Sequence, residues 1–406
     1  MTRHPSALLA AAALAAALTA GVACAQEPIR IGAINPYSGP VALYGDEVAR
    51  GYQLAIDEAN AKGGVLGRKL ELLRGDASNP QQGIAAVEKL SADKVDVFVG
   101  TYISAVSNAA SDAALRYSKI YWDTNALAAD LTARGLPNFI RSGPYASSFA
   151  EVSANATTEL LAPALGKPIK GLKIWIESED SIYGTSIAQR QKELLEKAGA
   201  VIVGVGAHNF RAIDLTDSVL RAKGAGPDVW INTGYVPDGN LLLRTMRDQG
   251  FKPQALLLVG TGDTFETLDA LGAEYLEGVA VVGYPRPDQT EAYGPGAAAY
   301  LAAYKKKYER DPIAPQGMAA YVGMQMLIEA IAAAGSVDMD KVRAAAATMD
   351  KPAKSYATGF GAKFDAQFQN TRAFPTVVQW QSGKVVTVYP TEAAQPNVKL
   401  INLPRK

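Results

Sequence analysis

The residues in this chain best suited to hold a small molecule are a serine and a tyrosine that follow an apolar run. Residues 95–99 are typical of a buried strand that ends at Gly100, and Thr101-Tyr102-Ile103-Ser104 then leads into a helical pattern. Backbone N–H groups at a helix start, together with the Ser104 hydroxyl, would attract an anion such as a carboxylate. The alternative is that Ser104 only caps its own helix, which is the commoner use of a serine there.

Other polar or aromatic residues follow apolar runs elsewhere in the chain. The first half supplies Tyr44 and the segment Asn125-Ala126-Leu127, and the second half supplies Tyr183, Tyr235 and Asp263. Open parallel sheets bind ligands beyond the carboxyl ends of their strands, so residues in these positions can meet around one solute. Singly, the tyrosines could equally cover loops against a sheet, and Asn125 could be a turn former. Together, they predict a site for a small organic anion.

The scarcity of histidine and cysteine argues against catalysis. The only histidines are His4 and His208, and the only cysteine is Cys24. The chain also has no G-x-S-x-G, no G-x-G-x-x-G after its first strand and no G-x-x-x-x-G-K-[ST]. The acidic run at 177–180 could do acid–base work, but solvated loop charge explains it more simply. We therefore expect a binding protein with no cofactor and no metal, not an enzyme.

The N-terminus predicts export. Arg3 precedes an apolar run at 7–20, and Ala23-Cys24-Ala25 has the small-x-small pattern of a cleavage site. We expect a signal peptide at 1–25, cleaved near Ala25, and a periplasmic mature protein in which no later segment spans a membrane. Lipidation of Cys24 is the alternative, although Gly21 stands where that signal prefers a large aliphatic residue.

Composition indicates a globular chain of two domains. The 406 residues are 48% hydrophobic, and 40 basic residues balance 40 acidic ones without a basic stripe, so nucleic acid is not an expected partner. Strand-like runs alternate with helical patterns in both halves, which predicts an α/β fold with parallel sheets flanked by helices. Helices are expected at 291–308, 316–334 and 339–348, followed by a hairpin of 376–381 and 384–389 around Ser382-Gly383.

Several short motifs occur in a recognisable order along nearly the whole mature chain. They are Ser38-Gly39-Pro40 with Tyr44-Gly45, Ala61-Lys62-Gly63-Gly64 with Gly67 and Lys69-Leu70, Gly100 with Ser104, Leu131-Thr132-Ala133-Arg134-Gly135 with Arg141, Tyr183-Gly184, Gly234-Tyr235 and Glu277-Gly278. In these residues the chain resembles the Leu/Ile/Val-binding family of type I periplasmic solute-binding proteins, the capture subunits of ABC importers.

The resemblance implies two lobes, each a parallel β-sheet flanked by helices, joined by three crossovers that we place near residues 144, 284 and 368. The N-terminal lobe would comprise 26–144 plus 285–367, and the C-terminal lobe 145–284 plus 368–390. Residues 391–406 would form a tail. The lobes would close over a solute in the cleft between them.

The resemblance also assigns roles to the candidate residues. The Ser104 hydroxyl, the amides of the loop with Tyr102, and Asn125-Ala126-Leu127 would hold the ligand carboxylate, while Tyr44, Tyr183 and Tyr235 line or close the pocket. The family's ammonium-binding glutamate falls at Gly262, with Asp263 one residue later, and Leu127 replaces a usual threonine. An inward Asp263 would permit an amino acid. An outward Asp263 would favour a carboxylic acid without an amine, or a small amide.

The expected function is capture of a small carboxylate-bearing solute, an apolar, branched-chain or aromatic amino acid, and its delivery to an inner-membrane ABC permease by a monomer. Binding of an aromatic or aliphatic carboxylic acid or a small amide is the first alternative. A periplasmic ligand sensor and an exported hydrolase are the others.

Overall fold

The computed structural model describes residues 26–405. The predicted signal peptide, with Cys24 and His4, lies outside the described residues. The first half of the chain forms a sheet of five strands in the order β2-β1-β3-β4-β5, and every neighbouring pair is parallel. The strands are β1 (Ile29–Asn35), β2 (Leu70–Asp76), β3 (Val97–Gly100), β4 (Tyr121–Asp123) and β5 (Phe139–Arg141).

The second sheet has seven strands in the order β14-β13-β10-β9-β8-β6-β7. Its parallel strands are β6 (Lys173–Glu179), β7 (Val201–His208), β8 (Val229–Thr233), β9 (Ala255–Val259) and β10 (Ala280–Gly283). The last two strands, β13 (Thr376–Gln381) and β14 (Lys384–Tyr389), form the predicted hairpin, and β13 pairs antiparallel with β10. A separate short pair joins β11 (Asp350–Lys351) and β12 (Ala362–Lys363). The predicted α/β architecture is therefore confirmed.

Helices cover both sheets. In the first half they are α1 (Ala42–Ala61), α2 (Pro80–Ala92), α3 (Ser104–Leu115) and α4 (Asp130–Ala133). The others are α5 (Ala146–Ala156), α6 (Ala162–Ala164), α7 (Ile182–Ala198), α8 (Thr216–Ala225), α9 (Val236–Asp248), α10 (Phe265–Leu271), α11 (Ala273–Leu276), α12 (Ala297–Tyr308), α13 (Gln316–Ala334) and α14 (Met339–Ala347). A π-helical turn at Thr157–Leu161 joins α5 to α6.

Two expectations about the late helices are corrected. Helix α12 begins at Ala297 and not at residue 291, because Gly294-Pro295-Gly296 precedes it and Gly296 has a φ of +88°, which no right-handed helix accommodates. The expectation that nothing after residue 25 could span a membrane is also wrong by length and composition, since α13 is long and apolar enough. Most of α13 is buried in the protein, where it packs against α1 as a core helix.

The segments predicted as crossovers near residues 144 and 368 run side by side. Arg141 N–H donates to the Phe368 carbonyl at 2.9 Å, and its side chain donates to Gln369 Oε1 at 2.5 Å. Asn370 Nδ2 donates to the Ser142 carbonyl at 2.9 Å. Backbone and side-chain bonds thus couple the end of the edge strand β5 to residues 368–370. The lobe boundaries themselves stay a prediction.

Candidate functional site

A narrow cavity lies beyond the carboxyl ends of strands from both sheets. Its walls come from residues that follow β3, β4, β6, β8, β9 and β10, together with the first residue of α13. They are Tyr102, Ser104, Asn125, Leu127, Tyr183, Tyr235, Gly260, Tyr284 and Gln316. Because each parallel strand delivers its carboxyl end to the same edge of its sheet, residues far apart in the chain meet here.

Six of the nine candidate residues line this cavity: Tyr102, Ser104, Asn125, Leu127, Tyr183 and Tyr235. Tyr44, Ala126 and Asp263 are buried nearby but do not line it. Three lining residues were missed, namely Gly260, Tyr284 and Gln316. The rule that strand ends carry the site would have found Tyr284, which directly follows β10, whereas no local pattern marks Gln316.

The Ser104 hydroxyl connects the start of α3 to the loop after β4 and does not cap its own helix. Its oxygen accepts hydrogen bonds from the N–H groups of Leu127 at 3.1 Å and Ala128 at 3.2 Å. The residue before α3 is Ile103, which offers no side-chain cap. With two acceptor positions used, the hydroxyl hydrogen of Ser104 remains as a donor.

The loop that carries Asn125 is held from behind by a buried acid and a buried base. The Asp123 carboxylate accepts from the N–H groups of Asn125 and Ala126, and Arg141 donates to the carbonyls of Ala126 and Ala128. Burial raises the pKa of Asp123 to about 7 and lowers the pKa of Arg141 to about 10. These bonds leave the loop little freedom beside the cavity.

Asn125 makes hydrogen bonds with two other segments of the protein. Its Nδ2 donates to the Gln316 carbonyl at 3.2 Å, and its Oδ1 accepts from Thr124 at 2.6 Å. Its backbone carbonyl accepts from the Tyr284 hydroxyl at 2.6 Å. Asn125 therefore fastens the loop to α13 and to the end of β10, and these bonds use one of its two amide hydrogens.

Tyrosine rings from the two halves of the site meet across it. Tyr44 stacks on Tyr102 with centroids 5.1 Å apart, and Tyr235 meets the same Tyr102 ring edge-on at 5.5 Å. Tyr183 lies 5.1 Å from Tyr235 and donates its hydroxyl hydrogen to the carbonyl of Gly234 or Val259. Such aromatic pairs stabilise contact between the walls while presenting apolar faces to a solute.

The Tyr102 hydroxyl is buried and has no hydrogen-bond partner among the described residues. Burial raises the pKa of Tyr102 well above its ordinary value, with the negative charges of Asp238, Asp263 and Glu266 adding to the effect. The phenol is therefore a neutral hydrogen-bond donor at physiological pH. An unpaired buried donor at a cavity is the kind of group that a ligand completes.

Asp263 points into the protein and not into solvent, since only 4% of it is exposed. Arg286 donates to its backbone carbonyl at 3.0 Å and lies 3.5 Å from its carboxylate. Burial raises the pKa of Asp263, and the opposing effect of Arg286 is smaller. The carboxylate is thus buried, but it faces a guanidinium group and does not line the cavity.

His208 is buried between two acids beside the tyrosine cluster. Its Nδ1 lies 3.1 Å from Glu177 Oε1, and its Nε2 lies 3.0 Å from Asp238 Oδ2. Burial alone would lower the pKa of His208, but the hydrogen bonds to Asp238 and Glu177 outweigh it and raise the pKa to about 9. Asp238 Oδ1 also accepts from the N–H of Tyr235 at 3.0 Å, so this cluster positions a cavity-lining residue.

Known proteins are similar to this chain in both sequence and fold. The profile of a family described as periplasmic binding protein matches residues 28–384. The chain is 38% identical over 387 residues to Leu/Ile/Val-binding protein homolog 7 of Brucella suis, covering 95% of this chain and 97% of the relative. It is 36% identical over 392 residues to homolog 8 of Brucella abortus, covering 96% and 97% of the two chains.

Solved structures show the same fold at lower identity. LivJ of Streptococcus pneumoniae in complex with isoleucine superimposes with a TM-score of 0.74 at 22% identity, over 89% of this chain and 99% of that one. A solute-binding protein of Rhodopseudomonas palustris in complex with p-hydroxybenzoic acid gives a TM-score of 0.76 at 21% identity, over 92% and 97%. The family match, the relatives and the strand-end cavity agree. The chain belongs to the Leu/Ile/Val-binding family of type I periplasmic solute-binding proteins, which serve ABC transporters and are not enzymes.

Proposed function

We propose that this protein captures an apolar or aromatic amino acid in the strand-end cavity and delivers it to an inner-membrane ABC permease. The observation that carries the proposal is the meeting of free hydroxyl donors and tyrosine rings around one narrow cavity. Ser104 and Tyr102 each retain a hydroxyl hydrogen for a carboxylate, and Tyr183, Tyr235 and Leu127 surround the rest of a solute. The names of the Brucella relatives support the same solute class.

The contacts that join the two walls of the cavity suggest how a solute enters it. Tyr44 Oη lies 3.5 Å from Glu266 Oε2, and Arg211 donates to the Ser78 carbonyl at 3.2 Å. Each contact joins the side of the cleft formed by the first sheet to the side formed by the second. Separation of these two contacts would open the cavity, and a bound solute would favour the closed form by bridging both walls. We propose rotation at the crossovers near 144, 284 and 368, in a monomer exported by cleavage near Ala25.

A carboxylic acid without an amine is the second candidate. No charged side chain lines the cavity within residues 26–405, and the Asp263 carboxylate faces Arg286. A buried ammonium group that lacks an ionic or carbonyl partner is strongly disfavoured. The ligand of the Rhodopseudomonas palustris structure, p-hydroxybenzoic acid, belongs to this class.

Calorimetric titration separates the two candidates. The wild type is titrated with L-leucine, L-phenylalanine and p-hydroxybenzoate, and thermal unfolding is followed with each, because a ligand of the native state raises the unfolding temperature. Asp263→Ala is titrated as well: an amino-acid affinity at least tenfold weaker would mean that Asp263 meets the ammonium group, and an unchanged affinity would mean that another group does. Asp269→Ala, a change at an exposed position on α10, serves as the matched control.

The outcome decides the solute class. Tight binding of p-hydroxybenzoate with no binding of amino acids would select the second candidate. Failure of every small solute to bind or to shift the unfolding temperature would contradict solute capture in this cavity.

A further inference from the structure

The side-chain amide of Gln316 is a polar group of the cavity wall with an unused acceptor. Gln316 is only 4% exposed, and its Oε1 has no hydrogen-bond donor among the described residues. Nearly all buried polar groups in folded proteins are paired, because an unpaired one is costly. An unpaired carbonyl that lines a ligand cavity therefore indicates that the ligand supplies its donor.

The backbone around Gln316 fixes this amide in place. Its own carbonyl accepts from Asn125 Nδ2 at 3.2 Å, and it is the first residue of α13. At Gly317, a Cβ would come 2.9 Å from Glu47 Oε1, and at Gly51 a Cβ would come 2.0 Å from the Gly317 carbonyl. Because α1 and α13 touch through backbone at these glycines, the start of α13 cannot shift without breaking the contact.

The other polar groups of the cavity suit the carboxylate of an amino acid and leave its ammonium group without an acceptor. Ser104 and Tyr102 contribute hydroxyl donors, which suit the carboxylate end of an amino acid. The ammonium end needs acceptors, and Asp263, the acid that the sequence suggested for it, is engaged by Arg286 and does not line the cavity. A side-chain carbonyl can accept from an ammonium group, and such charge-assisted bonds are strong.

We propose that Gln316 is a specificity-determining residue of the solute site, and that its side-chain carbonyl accepts a hydrogen bond from the ammonium group of the bound amino acid. This inference rests on the proposed function and deepens it. It assigns recognition of the ammonium group to α13, outside the strand-end loops that carry the rest of the site.

Two ligands that differ only in the amine test the proposal. L-leucine and 4-methylpentanoate, which is leucine without its amino group, are titrated calorimetrically into the wild type and into Gln316→Leu and Gln316→Glu. Gln316→Leu should weaken L-leucine about 10- to 100-fold and leave 4-methylpentanoate within about threefold. Gln316→Glu should keep or tighten L-leucine binding and weaken 4-methylpentanoate at least tenfold, because a carboxylate repels the anion.

Gln325→Leu is the matched control, since Gln325 lies on the same helix but outside the cavity. Unfolding temperature verifies that each variant folds, and Gln316→Glu, which has the size of the original side chain, carries the test should the leucine variant misfold. Unchanged L-leucine affinity in Gln316→Leu, or equal loss for both ligands, would overturn the assignment.

The remaining outcomes separate this inference from the proposed function. A wild type that binds p-hydroxybenzoate but no amino acid overturns the role of Gln316 toward an ammonium group and leaves solute capture standing. A wild type that binds no solute overturns the proposed function itself, and the inference with it.

Discussion

Replacement of Ser104 by alanine should destabilise the protein as well as weaken solute binding. The Ser104 oxygen accepts from the N–H groups of Leu127 and Ala128, at 3.1 and 3.2 Å. Leu127 is 4% exposed and Ala128 is fully buried, so water cannot easily replace the lost acceptor. Each buried donor left unpaired costs about 1–3 kcal/mol, so the two together predict a loss of about 2–6 kcal/mol in the free energy of unfolding.

The size of this loss makes it measurable by urea unfolding followed by circular dichroism. Domains of ordinary stability unfold with about 5–15 kcal/mol, so Ser104→Ala should move the midpoint strongly toward lower urea. Titration with the identified solute should show about tenfold weaker binding or more, because the remaining hydroxyl donor is also lost.

Ser91→Ala provides the control for this experiment. Ser91 lies near the end of α2, and its buried hydroxyl has no partner among the described residues. Its removal should change the free energy of unfolding by less than about 0.5 kcal/mol, or stabilise the protein, because alanine is a better helix former and no bond is broken. If Ser104→Ala also unfolds within about 0.5 kcal/mol of the wild type, the two amide bonds do not hold the loop and the reasoning fails.

Two further perturbations have expected outcomes of different sign. Tyr102→Phe removes an unpaired buried hydroxyl, so calorimetry should show solute binding about tenfold weaker while urea unfolding shows unchanged or higher stability; a stability loss would mean that the hydroxyl has a partner within the protein. His208→Gln should remove a pH-dependent stabilisation: the pKa rises from 6.5 to about 9 on folding, so His208 stabilises the protein below about pH 6.5, and this contribution is lost as pH rises through 9. Urea unfolding of wild type and variant from pH 6 to 10 should give a difference of about 3 kcal/mol at pH 6 that shrinks toward pH 10, and a constant difference would contradict the link to protonation.

Secondary structure could be predicted wherever residues close in sequence determine it. The hairpin of β13 and β14 follows from alternating apolar residues around Ser382-Gly383, and its bounds agree with the prediction. The helix predicted at 291–308 begins only at Ala297, because the Gly294-Pro295-Gly296 segment interrupts helical backbone before that residue. For helix α13 the local pattern is ambiguous. Its composition suits a membrane span, and only its packing against α1 identifies it as a core helix.

The sequence by itself determined the fold class and most residues of the cavity wall. The fold class and these residues both depend on the pattern of neighbouring residues. The residues that follow a parallel strand lie at the edge of its sheet, so Ser104, Leu127 and Tyr235 could be chosen from their position after a strand. Tertiary structure alone decided which groups are paired. Asp263 faces Arg286, His208 bridges two acids, and Asn125 bonds to Gln316 across 191 residues of chain. Such pairings set the charge and the free hydrogen-bonding groups of the cavity, and no local pattern encodes them because packing brings the partners together from separate elements.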